Sequence, residues 1–266
     1  MPELPEVETI RRQLAEAIVG AEMVGVEVRQ AKCFAGSQKV EGEIIRAVAR
    51  VGKYLFVHFE SGRGLAIHLK MTGRLVIDVP WYDTVPHTRV VITLADGRKL
   101  YYWDTRMFGY VKVIERVGEE QLKVKAKMGP DPWEMTEIEL LRRLQKTGRS
   151  VKEAILDQSL LAGVGNIYAN DGLWKARINP RRKTDTLKLS EVKVMLKSLR
   201  HVMERGLATG GASDNSYVNA KGEKGSYQNE FLVYGRAGKP CKRCGIALKR
   251  IVVGGRGTWI CKTCQI

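Results

Sequence analysis

The chain begins Met1-Pro2-Glu3-Leu4-Pro5-Glu6-Val7-Glu8, which brings a potential amine nucleophile next to carboxylates. A small second residue such as Pro2 allows the initiator methionine to be removed, and the exposed secondary amine can condense with an aldehyde carbon. An ordinary α-amino group has a pKa of roughly 7.7–8.0, so about a tenth of it is neutral at pH 7. The positive end of a following helix lowers that pKa further. The pattern predicts a nucleophilic terminus, but it is also typical of an ordinary helix start.

Four cysteines near the other end of the chain have the spacing of a metal site. Cys241 and Cys244 are separated by two residues, and after a gap of sixteen residues Cys261 and Cys264 repeat the pattern. This spacing predicts a zinc ribbon with one structural Zn²⁺, whose four thiolates leave no position for a catalytic water. Two disulfides are the alternative, which the absence of an export signal disfavours. The fifth cysteine, Cys33, is expected to be a buried apolar residue.

Basic residues are concentrated in the second half of the chain. The 266 residues include 45 Lys and Arg against 29 Asp and Glu, a net charge of +16. Residues 1–140 hold 20 of each sign, whereas residues 141–266 hold 25 basic and 9 acidic residues, which is the whole excess. A solvated basic surface would explain this, but the one-sided placement favours a polyanionic partner.

Hydrophobic periodicity predicts the elements that must position these groups. Apolar residues at Val7, Ile10, Leu14 and Ile18 indicate a helix over residues 3–19. Short β-branched and aromatic runs follow, separated by Gly, Asp-Gly and Pro, as is typical of a β-sandwich. The predicted strands are Met23–Arg29, Ile44–Arg50, Tyr54–Glu60, Leu65–Leu69, Leu75–Val79, Arg89–Leu94, Lys99–Trp103 and Tyr110–Ile114.

The second half of the chain returns to helical spacing. The predicted helices are Glu137–Lys146, Val151–Asp157, Asn166–Ala176 and Ser190–Gly206. Glycine-rich residues 206–225 predict a mobile loop, and the aperiodic residues 116–136 predict a linker. We therefore expect a two-domain α+β protein, with a strand-rich domain at 1–115, a helical module at 137–225 and the zinc ribbon at 226–266.

The sequence lacks the signals of a membrane or secreted protein. No apolar run approaches the roughly 18 residues of a membrane-spanning helix. No charged segment followed by an apolar one opens the chain. These observations predict a soluble, cytoplasmic protein.

Seven short motifs follow one another along essentially the whole chain. They are Pro-Glu-Leu-Pro-Glu-Val-Glu at 2–8, Gly-Lys-Tyr-Leu at 52–55, His-Leu-Lys-Met-Thr-Gly at 68–73, Asp-Thr-Arg-Met-Phe-Gly at 104–109, Gly-Val-Gly-Asn-Ile-Tyr-Ala at 163–169, Gln228 with Val-Tyr-Gly-Arg at 233–236, and the cysteine ribbon. Each motif alone is weakly specific, whereas the ordered set is highly specific and resembles the bacterial formamidopyrimidine-DNA glycosylase family. Leu4 and Val7 favour this family over the related endonuclease VIII type, whose start usually reads Pro-Glu-Gly-Pro-Glu.

The resemblance implies a bifunctional DNA repair enzyme, a glycosylase with abasic-site (AP) lyase activity. It would flip an oxidised purine, such as 8-oxoguanine or formamidopyrimidine, out of double-stranded DNA, excise it, and cleave the strand by β,δ-elimination. The resemblance also implies a monomer with one structural zinc, associated with the nucleoid and not with a membrane. Two alternatives stay open: an oxidised-pyrimidine glycosylase of endonuclease VIII type, and a non-catalytic protein that binds damaged DNA.

The motif at the start of the chain would supply the catalytic residues. The resemblance implies that Pro2 attacks C1′ and forms a Schiff base, that Glu3 is the general acid that opens the sugar ring, and that Glu6 supports the site. Lys53, in the turn before a strand, matches the family's active-site lysine. Without the motif, Lys53 would be interpreted as a solvated turn residue.

Three residues match the trio with which the family fills the space left by a flipped base. They are Met71, Arg106 and Phe108. A thioether and a flat ring can enter the base stack, and a guanidinium can bond the orphaned cytosine. In isolation, Met71 and Phe108 would be assigned to the hydrophobic core.

Five further residues match positions that bind DNA phosphates in the family. The resemblance assigns His68 and His87 to this role, although a lone histidine in a strand is more often structural. Lys152 and Asn166 fall in the helix-two-turn-helix module, and Arg256 lies at the tip of the zinc hairpin.

The lesion-recognition loop is where the sequence departs from the family pattern. This loop usually has an aliphatic residue followed by a basic one. Here Asp214 and Asn215 occupy those two positions, with Ser213 before them and Ser216 and Tyr217 after them. The change predicts that formamidopyrimidines are processed better, relative to 8-oxoguanine, than in family members with the basic residue. A second departure is Asn170-Asp171-Gly172 in the second helix of the DNA-binding module, where Asp171 stands for a usual Glu and has a shorter reach.

Overall fold

The structure, a computed structural model, describes residues 1–214 and 216–266. The chain divides into two compact units, which we call the strand-rich unit and the helix-rich unit. The strand-rich unit comprises Met1–Ala126 and Leu207–Gln228, and the helix-rich unit comprises Lys127–Gly206 and Asn229–Ile266.

The strand-rich unit is built on nine strands among the described residues. They are β1 (Glu22–Val28), β2 (Phe34–Ala35), β3 (Glu43–Val51), β4 (Tyr54–Phe59), β5 (Gly64–His68), β6 (Arg74–Ile77), β7 (Thr88–Leu94), β8 (Lys99–Trp103) and β9 (Tyr110–Ile114). Their order is β2-β9-β5-β4-β3-β1-β7-β8-β6. The strands are antiparallel except for β2, which runs parallel to β9. All eight predicted strands are present, and the two-residue β2 is additional.

The nine-stranded sheet divides into two layers where β1 meets β3. These strands share only two paired positions, Glu22 with Ile44 and Met23 with Glu43. One layer is β1-β7-β8-β6 and the other is β3-β4-β5-β9-β2. Alternate residues of both layers enter one core, including Leu55, Val57 and Phe59 of β4 and Val90, Ile92 and Leu94 of β7. This packing, together with the helical module described below, confirms the predicted α+β class with an N-terminal β-sandwich.

Helix α1 (Leu4–Ile18) packs its apolar stripe against the same core. The four predicted core residues of this helix are between 0 and 1% exposed: Val7, Ile10, Leu14 and Ile18. Gly20 then adopts a φ of +84°, a left-handed conformation that glycine adopts at little cost and that ends the helix.

Residues 207–228, which we call the return loop, belong to the strand-rich unit. The Ile77 N–H donates to the Ala220 carbonyl at 2.8 Å, and the Ala220 N–H donates to Gln13 Oε1 at 2.8 Å. Tyr217 lies in the core of the sandwich. The prediction that residues 206–225 belong with the helical module therefore differs from the structure, because buried hydrogen bonds join this loop to the sandwich.

Residues 116–136 also differ from the predicted linker. Their first part forms α3 (Val117–Ala126), which packs on the strand-rich unit through Val117 and Val124. Glutamate and lysine fill half of the other positions of α3, and its sequence carries little amphipathic signal. A further short helix, α2 (Trp81–Thr84), connects β6 and β7.

The helix-rich unit contains the predicted helices with shifts of one or two residues at their ends. They are α4 (Glu137–Gln145), α5 (Val151–Leu156), α6 (Asn166–Lys175) and α7 (Leu189–Ala208), the last of which extends two residues into the return loop. A two-stranded hairpin follows, made of β10 (Lys249–Val253) and β11 (Arg256–Ile260). Within the described residues, no helix has the length and apolar character needed to cross a membrane.

Candidate active site and nucleic-acid interface

The start of α1 holds two buried carboxylates directly after Pro2. Glu3 is the N-cap residue, and its backbone N–H donates to Glu6 Oε2 at 2.8 Å. The reciprocal bond, from the Glu6 N–H to the Glu3 side chain, completes a capping box. Glu3 and Glu6 are 2% and 1% exposed. The helix start therefore fixes both carboxylates beside the residue predicted to be the nucleophile.

Glu6 also joins α1 to the return loop. Its second oxygen, Oε1, accepts a hydrogen bond from the Ala212 N–H at 2.8 Å, and the Tyr217 hydroxyl donates to the Glu6 carbonyl at 3.4 Å. Gly211 has a φ of +93°, and a Cβ at this position would lie 2.9 Å from Glu6 Cγ. The close approach requires glycine. Glu6 thus holds both the helix start and the base of the loop predicted to recognise the lesion.

Lys53 lies in the turn between β3 and β4, where the sequence predicted it. Its side chain is only 7% exposed, so it is not a solvated turn lysine. Arg50 donates from Nη1 to the Gly52 carbonyl at 2.9 Å and from Nε to Glu8 of α1 at 3.1 Å. Because Arg50 binds both groups, it ties the turn that carries Lys53 to the helix that carries Glu3.

His68 ends β5 in a partly buried setting. Its ring packs edge-on against Tyr54 with the centroids 4.4 Å apart, and Nδ1 accepts a hydrogen bond from the Lys70 N–H at 3.0 Å. Burial, together with the positive charges of Lys70 and Lys53, lowers the pKa of His68 to about 3. The ring is therefore neutral near pH 7, and its proton lies on Nε2, where it can donate to a phosphate oxygen.

His87 has a less enclosed setting than His68. It adopts a φ of +79°, which is uncommon for a residue with a Cβ. Its Nδ1 lies 2.9 Å from Arg89 Nη2, and its ring lies 6.0 Å from that of Trp103. His87 is exposed and Arg89 is half-buried, with its Nε donating to the Asp104 carbonyl at 2.8 Å.

Met71, Arg106 and Phe108 lie together in the structure. Met71 is 42% exposed and Phe108 is 50% exposed, so neither is a core residue. The Arg106 Nη1 atom lies 3.3 Å from the Met71 sulfur, and its guanidinium lies 4.6 Å from the centroid of the Phe108 ring. We call these three residues the wedge cluster. Two exposed apolar side chains that flank one cation are better accommodated in a base stack than in water.

The base of the predicted lesion loop is closed by hydrogen bonds within the strand-rich unit. Ser213 donates from its N–H to Gln228 Oε1 and from its hydroxyl to the Tyr217 carbonyl, both at 2.8 Å. Its hydroxyl also accepts from the Gly225 N–H at 3.0 Å. Tyr217 is only 5% exposed and anchors the loop. Asp214 is exposed and Ser216 half-buried between these anchors, and Asn215 lies outside the described residues.

In the helix-rich unit, the position of Lys152 does not match its predicted role as a phosphate contact. It is fully buried, and its ammonium donates to the Gly257 carbonyl at 2.9 Å and to Thr258 Oγ1 at 2.7 Å. Asn166 donates to the same Gly257 carbonyl at 3.1 Å. Lys152 therefore holds the end of the β10–β11 hairpin in place and does not present its charge to solvent. Arg256, predicted to contact phosphate, lies at the start of β11 and is exposed.

The four cysteines of the ribbon fit a zinc ion. Their sulfur atoms lie within 4.8 Å of one another, with Cys241 and Cys264 4.0 Å apart and Cys244 and Cys261 3.4 Å apart. A tetrahedron with Zn–S bonds of about 2.3 Å has sulfur atoms about 3.8 Å apart. The Trp174 indole N–H points at the Cys241 sulfur at 3.4 Å, a donor of the kind that stabilises a thiolate ligand.

Comparison with known proteins assigns the chain to a family. The N-terminal domain model of formamidopyrimidine-DNA glycosylase matches residues 1–111, the H2TH domain model of the same family matches residues 128–217, and a zinc finger found in FPG and IleRS matches residues 238–266. The chain belongs to the formamidopyrimidine-DNA glycosylase family. Among its relatives, the formamidopyrimidine-DNA glycosylases of Halalkalibacterium halodurans and Bacillus subtilis are 38% and 36% identical, and the alignments cover all of this chain and 100% and 99% of those proteins.

Solved structures of this family share the fold over the whole chain. The MutM (Fpg) protein from Thermus thermophilus superimposes with a TM-score of 0.90 at 38% identity, covering 99% of this chain and 98% of that one. The Lactococcus lactis Fpg in complex with DNA containing an abasic site gives a TM-score of 0.90 at 33% identity, covering 99% of each chain. These matches confirm the predicted family and fold, and the zinc finger match together with the cysteine cluster confirms the predicted zinc site.

The half-buried Glu8 and the buried Asp171 of this glycosylase family member have partners that the sequence did not indicate. Glu8 binds Arg50, as described above. Asp171 is fully buried and accepts hydrogen bonds from the N–H groups of Leu232, Val233 and Tyr234 at 2.9–3.1 Å. The shorter Asp at this position therefore holds a backbone segment and does not face DNA. An acidic residue among apolar neighbours in α6 was the available signal.

Proposed function

We propose that this protein is a bifunctional DNA glycosylase and AP lyase of base-excision repair that removes oxidised purines from double-stranded DNA. The observation that carries the proposal is the start of α1, where Pro2 precedes two buried carboxylates that a capping box holds in place. Membership of the family supports this function, and the known DNA complex of the Lactococcus lactis relative supports DNA as the partner.

The proposed reaction begins after removal of Met1. While Met1 is present, the Pro2 nitrogen belongs to an amide and cannot attack. As a free secondary amine, Pro2 forms a bond to C1′ of the flipped nucleotide while the bond from C1′ to the damaged base breaks. The base leaves with that electron pair and takes up the proton that the Pro2 nitrogen loses. Glu3 donates a proton to the sugar ring oxygen, so that the ring opens and an iminium forms at C1′.

Strand cleavage follows from the same intermediate. The iminium acidifies the C2′ proton, so loss of that proton expels the 3′ phosphate, and a second elimination expels the 5′ phosphate. Hydrolysis then releases Pro2 and the sugar fragment. Glu6 holds the position of Glu3, and Lys53 contacts phosphate or donates a proton from its turn. The zinc ion takes no part in these steps.

The wedge cluster would occupy the space that the flipped base leaves. Unstacking a base costs a few kcal/mol, and inserted side chains offset part of that cost. Arg106 provides N–H donors for the orphaned cytosine. His68, His87, Asn166 and Arg256 are proposed phosphate contacts, and Lys152 acts by holding the hairpin that carries Arg256. Such a protein would act on the nucleoid in the cytoplasm, as a monomer.

The function is tested by borohydride trapping on a duplex that contains 8-oxoguanine opposite cytosine. Protein whose mass shows loss of Met1 should form a covalent adduct, since reduction of the iminium fixes the bond between Pro2 and C1′. Glu3→Gln should bind the duplex but excise the base very slowly. Pro2→Gly should trap less well, because the amine geometry changes.

The matched control is the same protein with Met1 retained or the N-terminus blocked. This form keeps every side chain, so only the amine is lost. Undiminished trapping by the blocked form would rule out Pro2 as the nucleophile. A parallel duplex with thymine glycol distinguishes the endonuclease VIII alternative, which would excise thymine glycol and spare 8-oxoguanine. Binding without excision of any lesion would indicate the non-catalytic alternative.

A further inference from the structure

Asp104 is a fully buried residue at the start of the loop that carries two members of the wedge cluster. Its Oδ1 atom accepts hydrogen bonds from the Thr72 hydroxyl at 2.5 Å and from the Arg106 N–H at 3.0 Å. Its Oδ2 atom accepts from the N–H groups of Phe108 and Gly109 at 3.1 and 3.0 Å. One carboxylate therefore holds the backbone of residues 106–109 at three points.

Thr72 extends this network to a second loop, which carries Met71, the third member of the wedge cluster. It directly follows Met71, and its hydroxyl donates to Asp104 while also accepting from the Arg106 N–H at 3.3 Å. Both loops contain an uncommon backbone conformation, with φ of +50° at Lys70 and +54° at Met107. Such conformations persist when surrounding contacts determine them. The hydrogen bonds to Asp104 and Thr72 are contacts of this kind.

The carboxylate is suited to this role because it is ionised. Burial raises the pKa of Asp104, but the hydrogen bonds from the Thr72 hydroxyl, the Gly109 and Arg106 N–H groups and the Tyr102 hydroxyl lower it below its usual value overall. An ionised carboxylate only accepts hydrogen bonds, so each of its oxygens can serve several N–H and O–H donors. An amide in its place would turn an NH₂ group toward two of these donors.

We propose that Asp104 is a positioning residue that sets the wedge cluster before DNA binds, with Thr72 as its link between the two loops. The inference rests on the proposed function of the cluster. In the proposed role, Asp104 and Thr72 contact neither the lesion nor the reacting atoms. Their effect passes through Met71, Arg106 and Phe108, and it matters only where a base must leave a duplex stack.

The test compares two substrates that need the cluster to different extents. The first is a duplex with 8-oxoguanine opposite cytosine, for which single-turnover base excision is measured. The second is a single-stranded oligonucleotide with an abasic site, which has no partner base and no stack to fill, and for which strand cleavage is measured. The variants are Asp104→Asn, Thr72→Val, which removes the hydroxyl, and Thr72→Ser, which keeps it.

We expect Thr72→Val and Asp104→Asn to slow duplex excision by about tenfold to a hundredfold, the size of effect that the loss of a hydrogen bond to a charged group produces. Cleavage of the single strand should stay near the wild-type rate, and Thr72→Ser should restore most of the duplex rate. Ser61→Ala is the matched control, because the Ser61 hydroxyl donates to the Glu43 carboxylate at 2.6 Å in the same unit but outside both loops. It should leave both rates unchanged.

Equal losses on the two substrates would show that Asp104 and Thr72 only stabilise the fold, and unchanged duplex excision in both Thr72→Val and Asp104→Asn would also overturn the proposal. Thr72→Val guards against the case in which Asp104→Asn fails to fold, since valine matches threonine in shape. If the wild-type protein excises nothing from the duplex, the proposed function itself has failed, and this outcome is distinct from the first two.

Discussion

The cluster of charges around Glu8 predicts that Glu8→Gln destabilises the strand-rich unit and slows base excision. The Glu8 carboxylate binds Arg11 at 2.9 Å, Arg12 at 2.8 Å and Arg50 at 3.1 Å, and its side chain is 13% exposed. Arg50 also binds the carbonyl of Gly52, next to Lys53. Loss of the charge at Glu8 therefore weakens the connection between α1 and the turn that carries Lys53.

The magnitude follows from the pKa of Glu8. Burial raises this pKa, but hydrogen bonds from Arg11, Arg12 and Arg50 lower it from 4.5 to about 2 overall. A difference of that size corresponds to an upper limit of about 3 kcal/mol of stability. Because Tm falls by roughly 2–4 °C per kcal/mol in a unit of this size, Glu8→Gln should lower the Tm of the strand-rich unit near pH 7 by at most about 6–12 °C.

The pH dependence supplies the sharper test. A depressed folded-state pKa contributes stability that is fully present above about pH 4.5 and is lost as the pH falls toward 2. The difference in Tm between wild type and Glu8→Gln should therefore be constant from pH 7 to about 5 and then shrink. Scanning calorimetry at several pH values measures this difference, and single-turnover excision at pH 7 measures the effect on Lys53.

Glu139→Gln is the matched control for this experiment. Glu139 also binds two arginines, Arg142 at 3.1 Å and Arg143 at 2.8 Å, but on the open surface of α4 with about a third of its side chain exposed. Exposed pairs of this kind contribute little, so Glu139→Gln should leave Tm and excision nearly unchanged. Equal losses in both variants, or a difference for Glu8→Gln that persists at low pH, would refute the reasoning.

Three further predictions concern the ribbon, the hairpin and the lesion loop. Cys244→Ser should remove zinc and unfold the ribbon, because metal sites of this type contribute roughly 10–16 kcal/mol to local folding. DNA affinity should fall while circular dichroism shows the strand-rich unit still folded. Full DNA affinity in zinc-free wild-type protein would contradict this. Lys152→Met should remove the ammonium that donates to Thr258 Oγ1 and leave the Gly257 carbonyl with Asn166 as its remaining side-chain donor, at a cost of about 1–3 kcal/mol. DNA affinity should therefore drop while elemental analysis shows zinc retained, and unchanged affinity would show that the hairpin position does not matter. Asp214→Val with Asn215→Arg should raise the rate of 8-oxoguanine excision relative to formamidopyrimidine in single-turnover assays, and an unaltered ratio would show that the loop departure is neutral.

Local sequence patterns were sufficient to predict most helices and strands of the fold. The apolar residues of α1 and the alternating runs of the eight predicted strands each carry their own periodicity, so their positions do not depend on distant partners. The two-residue strand β2 has no such period, and it forms only because β9 lies beside it. Helix α3 was not predicted for a related reason, since its apolar contacts with the strand-rich unit come from Val117 and Val124, which are too few to set a helical period.

The candidate site was predicted by residue type and position, whereas its internal contacts were not. Periodicity cannot show that the ammonium of Lys152 turns inward to the hairpin. Nor can it show that Glu6 divides its two oxygens between Glu3 and Ala212, residues that are 209 positions apart in numbering and adjacent in space. Contacts of this kind depend on tertiary structure, because each joins groups that no local pattern relates.

These contacts also separate the support of the predicted lesion loop from the two positions at which the sequence departs from the family pattern. Glu6, Gln228 and Tyr217 hold the base of the lesion loop through Ala212 and Ser213, and all of these anchors lie outside the two positions at which the sequence departs from the family pattern. Substitution at Asp214 can therefore alter what the loop offers to a flipped base while the capping box at Glu3 stays intact. The proposed catalytic residues and the proposed lesion loop thus share one support, Glu6, whereas Asp214 takes no part in the capping box. A change at Asp214 is therefore expected to alter lesion preference while Glu3 stays in place.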